Sequence, residues 1–478
     1  MAEKKYPAAG QTGVQPGQIA ELDIIGINQE GQGVARLDGL TVFIPQTVPG
    51  DRVVIRVEKR LSNYAVGQMV KLAAASADRI LPVCSQSGEC GGCSLQMMNY
   101  PAQLRQKQQQ VYDALRRIGR VHDLDKLMRP IIGMDEPWQY RSKVQFPVAG
   151  STGNPEIGFY ANRSHRVIHA PTCPVQPPVC DIIRETVADH VSQHGIEPYN
   201  ETRHRGLLRH IVVRIGFFTG QVMVVLVING ESLPGQTELY EALHAKIAAT
   251  RDPRLPPLDL VSFYLNINKA KTNLIMSEDC RLLAGTGWIE EIILGLRYRI
   301  SPLSFFQVNP RQTERLYSAT LELAALGGCE TALDLYCGTG SISLLLARQA
   351  RQVVGIEIIP EAIADARVNA ELNGISNTRF AVGRAEQLLP MLLAEGLTAD
   401  VAVVDPPRKG CDTALLEAIV QAGVSRVVYV SCNPATLARD VAVLQVGGYH
   451  VQVVQPVDMF PWTGHVETVV LMTFSDSN

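Results

Sequence analysis

No apolar run in this 478-residue chain approaches a bilayer span: Val222 to Ile228 is among the longest, and a membrane helix needs about 18 such residues. A membrane partner is therefore not expected. No secretory apolar region follows Met1-Ala-Glu-Lys-Lys, so a signal peptide is not expected and the cytoplasm is. A charge excess is lacking too. Lys plus Arg is 44 and Asp plus Glu is 47, so a nucleic-acid partner must be held by local basic patches, not a global positive field. Ten cysteines in 478 residues are too sparse for a disulfide scaffold and suit a protein that keeps a few thiols for chemistry. Internal repeats are absent. What is present is 46% hydrophobic sequence, enough to bury sizeable cores and to exclude a mainly disordered chain. The length predicts two to four domains of roughly 150 residues.

Residues 1–18, rich in Gly, Pro, Gln and Ala, read as a flexible tail. Over 19–76, short alternating runs such as Leu40-Thr-Val-Phe-Ile and Asp51-Arg-Val-Val-Ile-Arg-Val, broken by Gly or Pro, predict a small OB-like β-barrel. Arg52, Arg56, Lys59 and Arg60 give it positive charge, a solvated face or an RNA contact. Residues 77–303 read as a central α+β domain, with a helix over Pro101 to Arg120 that is expected to pack on the catalytic domain, and with Val222 to Ile228 as a strand buried on both faces.

Residues 304–478 turn regular. Strands begin at Ala332, Val353, Arg379, Val401, Arg426, His450 and Thr468, and helices such as Pro360 to Asn373 and Pro434 to Gln445 separate the earlier ones. The pattern predicts a Rossmann-like doubly wound α/β sheet with ligands at the carboxyl ends of its strands. The last two strands lack a helix between them, so the final one is expected to run antiparallel. The first strand leads into Asp334-Leu-Tyr-Cys-Gly-Thr-Gly340, and Ser341 opens a helix; glycines there let the backbone approach a bound molecule. The second strand ends in Glu357, a carboxylate placed to accept ribose hydroxyls. Ser343 stands where a dinucleotide fingerprint has its third glycine, which argues against a nicotinamide. With Asp405-Pro-Pro closing the fourth strand, the set fits S-adenosylmethionine.

The fifth strand ends in Ser431-Cys432-Asn433-Pro434, placing Cys432 just outside a helix N-terminus, where the dipole favours thiolate. Glu467 follows in Gly464-His-Val-Glu-Thr. A methyltransferase needs such a pair when the acceptor is the C5 carbon of a pyrimidine. Thiolate addition at C6 makes C5 nucleophilic, and a base then removes the C5 proton so that the thiol can leave. Arg408, not an aromatic, follows Asp405-Pro-Pro, which argues against amino-group methylation. Elsewhere, Cys84, Cys90 and Cys93 share one loop, with Cys173 and Cys180 further on; such spacing suits zinc, an iron–sulfur cluster or a redox pair. Cys280, Cys329 and Cys411 read as inert thiols, and Cys337 as lying beneath the cofactor.

Asp334-Leu-Tyr-Cys-Gly-Thr-Gly, Asp405-Pro-Pro-Arg-Lys-Gly, Ser431-Cys-Asn-Pro-Ala-Thr, Gly464-His-Val-Glu-Thr and Ser304-Phe-Phe-Gln-Val-Asn together resemble the RNA uracil-C5 methyltransferase family. Upstream, Tyr140-Arg-Ser-Lys and Leu208-Arg-His-Ile-Val-Val-Arg extend the resemblance over nearly the whole chain. It implies Cys432 as nucleophile, Glu467 as base, and Gln307, Tyr336, Glu357 and Asp405 as S-adenosylmethionine-binding residues. It also implies that the barrel is an RNA-binding TRAM domain, and that Cys84, Cys90, Cys93 and Cys173, in preference to Cys180, hold a [4Fe-4S] cluster. Within such a family, a TRAM domain with a cluster implies 23S rRNA as substrate, with tRNA the alternative; the enzyme is expected to be a monomer. An RNA cytosine-C5 methyltransferase, a catalytically dead RNA-binding relative and a thiol oxidoreductase are the rival readings. The target base must leave its stack, and Arg203-His-Arg205 with Arg209-His210 form a candidate basic patch.

Overall fold

The computed structural model describes residues 13–474. Of the tail expected over 1–18, residues 1–12 lie outside the described residues. Val14 is already buried in the first hydrophobic core, and Gly17 N–H donates to the Val57 carbonyl at 2.7 Å, so the docked chain starts ahead of residue 19. Six strands follow: β1 (Ile19–Asp23), β2 (Gly26–Ile27), β3 (Gly33–Leu37), β4 (Leu40–Ile44), β5 (Arg52–Arg60) and β6 (Tyr64–Ala74). They curl into one sheet of order β1-β5-β6-β4-β3-β2, parallel only at β4–β6. The period-2 alternation decides its faces. Val53, Ile55 and Val57 of β5 point into the core while Arg52 and Arg56 face out. Arg52 is paired with Asp23 at 3.0 Å.

An irregular cysteine-bearing segment leads to α1 (Tyr100–Arg117). The Asn99 side chain caps this helix by accepting from Ala102 N–H at 2.9 Å, and Pro101 sits in its first turn, both ordinary start signals. Val111 and Leu115 on its apolar stripe enter the core beneath the C-terminal sheet. After the short α2 (Leu124–Leu127), the middle of the chain supplies β7 (Lys143–Ser151), β8 (Asn154–Ile157), β9 (Phe159–Tyr160), β10 (Val167–Ile168), α3 (Val179–Gln193), β11 (Leu208–Ile215), β12 (Gln221–Ile228), α4 (Gln236–Ala249), β13 (Asp259–Ile267), β14 (Cys280–Gly285), β15 (Ile289–Ile293) and β16 (Leu296–Ile300). Its main sheet has order β14-β13-β12-β11-β7-β8. In β12, Val222, Val224, Leu226 and Ile228 pack under α3 and α4, while Met223, Val225 and Val227 join the core of the C-terminal sheet. The continuous apolar run is thus buried on both faces.

The C-terminal part runs α5 (Pro310–Ala324), β17 (Thr331–Leu335), α6 (Ser341–Ala347), β18 (Gln352–Glu357), α7 (Pro360–Leu372), β19 (Thr378–Val382), α8 (Ala385–Ala394), β20 (Val401–Val404), α9 (Thr413–Gln421), β21 (Arg426–Ser431), α10 (Pro434–Val446), β22 (Tyr449–Val457) and β23 (Glu467–Phe474). The sheet order is β19-β18-β17-β20-β21-β23-β22. Its first five strands are parallel, and β23 runs antiparallel to both neighbours. The strand order reverses between β17 and β20, which opens a crevice at their carboxyl ends. Among the described residues no helix is long and apolar enough to cross a membrane.

Candidate active site

Three carboxylates ring the crevice. Asp334, at the end of β17, is buried and accepts from Ser343 Oγ at 2.5 Å through Oδ2, while its Oδ1 has no hydrogen-bond partner among the described residues. Burial pushes its carboxyl up to about 7, with nearby Glu357 adding. Asp405, beyond β20, is likewise pushed up to about 7 by burial, with Asp334 adding. Glu357, the last residue of β18, accepts from Gly338 N–H at 3.2 Å and Ile359 N–H at 3.0 Å, which fixes it against the glycine turn. Tyr336 holds a φ of +76°, uncommon for a bulky side chain, and its N–H donates to Ile356 O at 3.0 Å. Gly340, with φ +81°, has Ala366 Cβ only 3.0 Å from where its own Cβ would stand. No ion pair to these carboxylates occurs among the described residues. An orphaned buried oxygen in an electron-rich crevice suits a guest with positive charge and donor groups, and S-adenosylmethionine offers a sulfonium, an ammonium and a ribose diol. Gln307 lines a small cavity with Lys143 and Arg214.

The second half of the site comes from strand pairing. Ser431 of β21 pairs with Thr468 of β23, so Cys432, just beyond β21, and Glu467, the first residue of β23, come to the same end of this ladder. Asn433 caps α10 by accepting from Ala435 N–H at 3.0 Å, and its Nδ2 donates to the Arg408 carbonyl at 3.1 Å, stitching the loops after β20 and β21 together. The surroundings of Cys432 work against the thiolate expected from the helix dipole. Burial pushes the Cys432 thiol up to about 11, with Glu467 and Asp405 adding and Arg408 opposing. Desolvation and two carboxylates outweigh one exposed guanidinium and a helix end. Glu467 is buried and pushed up to about 8 for the same reason, with Asp405 adding and Arg408 opposing. Both shifts favour the protonated forms in the free enzyme.

Beside this edge lies a cavity of about 860 Å³ whose wall carries Cys84, Cys90, Cys93 and Cys173 as well as Arg408 and His465. Cys180, on α3, instead packs into the core. Among the described residues no group of three or more His, Cys, Asp or Glu is arranged to hold a metal ion. The four thiols nonetheless face one space, and burial holds Cys93 up at about 11 and Cys173 at about 12. The expected basic patch is only half there. Arg203 and Arg205 are exposed, but Arg209 is buried, donating to the carbonyls of Asn268 and Ala270 at 2.6 and 2.9 Å with its guanidinium over Tyr199. His210 is buried too, and desolvation holds it down at about 4.

Two supporting residues escaped the sequence reading. Lys107 Nζ and Asp458 Oδ1 form a fully buried ion pair at 2.5 Å, and Lys107 also donates to Phe460 O at 2.9 Å, fixing the segment that leads to Glu467. The signal was available: Lys107 lies four residues before Val111 and eight before Leu115, on the helix face that is buried.

A doubly wound sheet with this order, a glycine turn and a carboxylate-lined crevice at its switch point is the framework of an S-adenosylmethionine-dependent methyltransferase, and the likenesses to known proteins give that class. Residues 290–474 match the tRNA (Uracil-5-)-methyltransferase family model, and residues 13–70 match the TRAM domain. An uncharacterized RNA methyltransferase of Halalkalibacterium halodurans is 47% identical, covering 97% of this chain and 98% of its own length. One from Listeria innocua is 43% identical over 95% and 98%. The crystal structure of Pyrococcus abyssi tRNA (uracil-54, C5)-methyltransferase in complex with S-adenosyl-L-homocysteine superposes with a TM-score of 0.75 at 26% identity, covering 95% of this chain and all of that one. The chain belongs to the tRNA (uracil-5-)-methyltransferase family and is an S-adenosylmethionine-dependent RNA (uracil-5-)-methyltransferase with an N-terminal TRAM domain.

Proposed function

We propose that this enzyme methylates C5 of a specific uridine in 23S rRNA, in the cytoplasm and as a monomer, with Cys432 as nucleophile and Glu467 as base. The placement of Cys432 and Glu467 at the same end of the β21–β23 ladder, near enough for Glu467 to raise the thiol, carries the assignment. Cys432, once deprotonated, attacks C6 of the flipped uracil, and the electron pair of the C5=C6 bond moves toward C5 and the adjoining carbonyl. When bound, S-adenosylmethionine would supply an electrophilic methyl group and leave as S-adenosylhomocysteine. After C5 carries that methyl, Glu467 takes the C5 proton, the double bond re-forms and the C6–S bond breaks, releasing Cys432. Gln307, Tyr336, Glu357 and Asp405 hold the methyl donor. The crowded, unpaired carboxylates are what support this, while Gln307 rests on motif likeness alone.

Cys84, Cys90, Cys93 and Cys173 hold a [4Fe-4S] cluster; four thiols on one cavity wall are the donor set that such a cluster takes. When bound, it ties the loop before α1 to the segment before α3, and the transfer chemistry asks no electron of it. The ribosomal substrate rests on the pairing of TRAM domain and cluster. Transfer RNA is the second reading, favoured by the Pyrococcus abyssi likeness, which covers 95% of the chain. Mapping methyluridines in 23S rRNA and tRNA from cells with and without the gene decides. A site lost from 23S rRNA is expected, and a site lost only from tRNA overturns the ribosomal assignment.

A further inference from the structure

One turn of the TRAM barrel reaches into the catalytic edge. Between β2 and β3, Asn28 braces the turn by accepting at its Oδ1 from the N–H groups of Glu30 and Gln32 at 3.0 and 2.9 Å. The braced turn presents Gln29, whose Nε2 donates to Asn433 Oδ1 at 3.1 Å. Asn433 is the neighbour of Cys432 and the cap of α10. The same turn abuts the other catalytic loop. A Cβ on Gly464 would stand 2.5 Å from Gln29 O and 2.7 Å from Gly31 N, so only glycine permits this contact three residues ahead of Glu467. Two ties hold the turn from outside: Glu30 pairs with Arg163 at 2.5 Å, and Gln110 of α1 donates to Asn28 O at 3.5 Å.

We propose that Gln29 is a positioning residue for catalysis: through Asn433 it sets the aim of Cys432, so the TRAM barrel acts on the chemical step as well as on RNA. This rests on Cys432 being the nucleophile. A turn that served only to grip RNA would have no reason to spend its side-chain donor on the cap beside the nucleophile. It would also have no reason to press its backbone against the loop that delivers the base.

The test is kinetic, on the full-length enzyme with unmodified RNA from cells lacking the gene. Gln29→Ala and Gln29→Met, the second keeping length without a donor, are expected to lower kcat about fivefold, the factor one neutral hydrogen bond is worth. The KM for RNA should stay within about twofold. The rate of covalent adduct formation on saturating 5-fluorouridine RNA should fall in parallel. In an Asn433→Ala background the Gln29 change should cost nothing further. A raised KM with unchanged kcat in both variants overturns the proposal and makes Gln29 an RNA contact. Cys432→Ser is run alongside. If it still methylates, the nucleophile assignment falls; if it is dead while both Gln29 variants keep wild-type kcat, the positioning role alone falls.

Discussion

Cys432 and Glu467 sit at the same end of the antiparallel pair β21 and β23, each one step beyond the Ser431–Thr468 pairing. The two groups are near enough for the Glu467 carboxyl to raise the Cys432 thiol, as a nucleophile and a base serving one ring would be. An antiparallel final strand is what makes this possible. Its start, and so Glu467, lies at the carboxyl ends of the parallel strands, where Cys432 also sits.

The two residues should fail differently. Cys432→Ala is expected to abolish both methyl transfer and the covalent adduct while leaving S-adenosylmethionine binding intact. Glu467→Gln should slow turnover by about 10²- to 10⁴-fold, the range for loss of a general base, and let the RNA adduct accumulate because elimination is blocked. Denaturing gels with labelled RNA distinguish these results, and wild-type turnover by Glu467→Gln would remove its role as base.

The resting protonation states give a second prediction. Burial raises Cys432 to about 11 and Glu467 to about 8, so the free enzyme is poorly nucleophilic at pH 7 and gains reactive forms as pH rises. A positive charge within about 4–6 Å lowers an acid's pKa by about 1–3 units. Iodoacetamide labelling of Cys432, followed by peptide mass spectrometry, should therefore titrate at lower pH with a cationic analogue such as sinefungin bound. S-adenosylhomocysteine, which lacks the sulfonium charge, should shift it less. Equal midpoints with both ligands would show that cofactor charge does not activate the thiol.

Much of this was legible in the chain, for physical reasons that differ by region. The parallel strands announced themselves because burial on both faces demands unbroken runs such as Val401 to Val404. Glu357 and Asp405 stand out because each closes such a run. The state of Cys432 was not legible, since a helix end is a local feature whereas burial and the proximity of Asp405 exist only after folding. Arg209 failed for the same reason: a cation in a strand reads as surface until the carbonyls of Asn268 and Ala270 are brought to it. The Gln29–Asn433 contact joins residues 404 apart in sequence, and no pattern within either segment encodes it.

The cysteines allow a test that does not depend on methylation. Enzyme purified without oxygen should carry roughly four iron and four acid-labile sulfide per chain if a [4Fe-4S] cluster forms. Serine at position 84, 90, 93 or 173 should deplete both. Cys180→Ser should leave them unchanged, because Cys180, on α3, points into the core and does not line the shared cavity. Stoichiometric zinc without sulfide would replace the cluster with a structural metal.

The Lys107–Asp458 pair offers the strongest stability prediction. Both side chains are fully buried, and Asp458 also accepts from Tyr100 OH at 2.8 Å. Lys107→Met leaves that carboxylate without its counter-charge, and breaking a buried pair by removing one partner costs about 3–5 kcal/mol. Asp458→Asn leaves the ammonium uncompensated and should cost a similar amount. Adding Asp458→Asn to Lys107→Met should recover part of the loss, because the second change removes the stranded charge. Thermal unfolding of the three variants measures this coupling. The lysine also donates to Phe460 O, in the segment that runs on to Glu467. Lys107→Met should therefore lower kcat more than it raises the KM for RNA, even at temperatures where the variant stays folded. Strictly additive unfolding costs with unchanged kcat would mean that the pair neither couples nor supports the base.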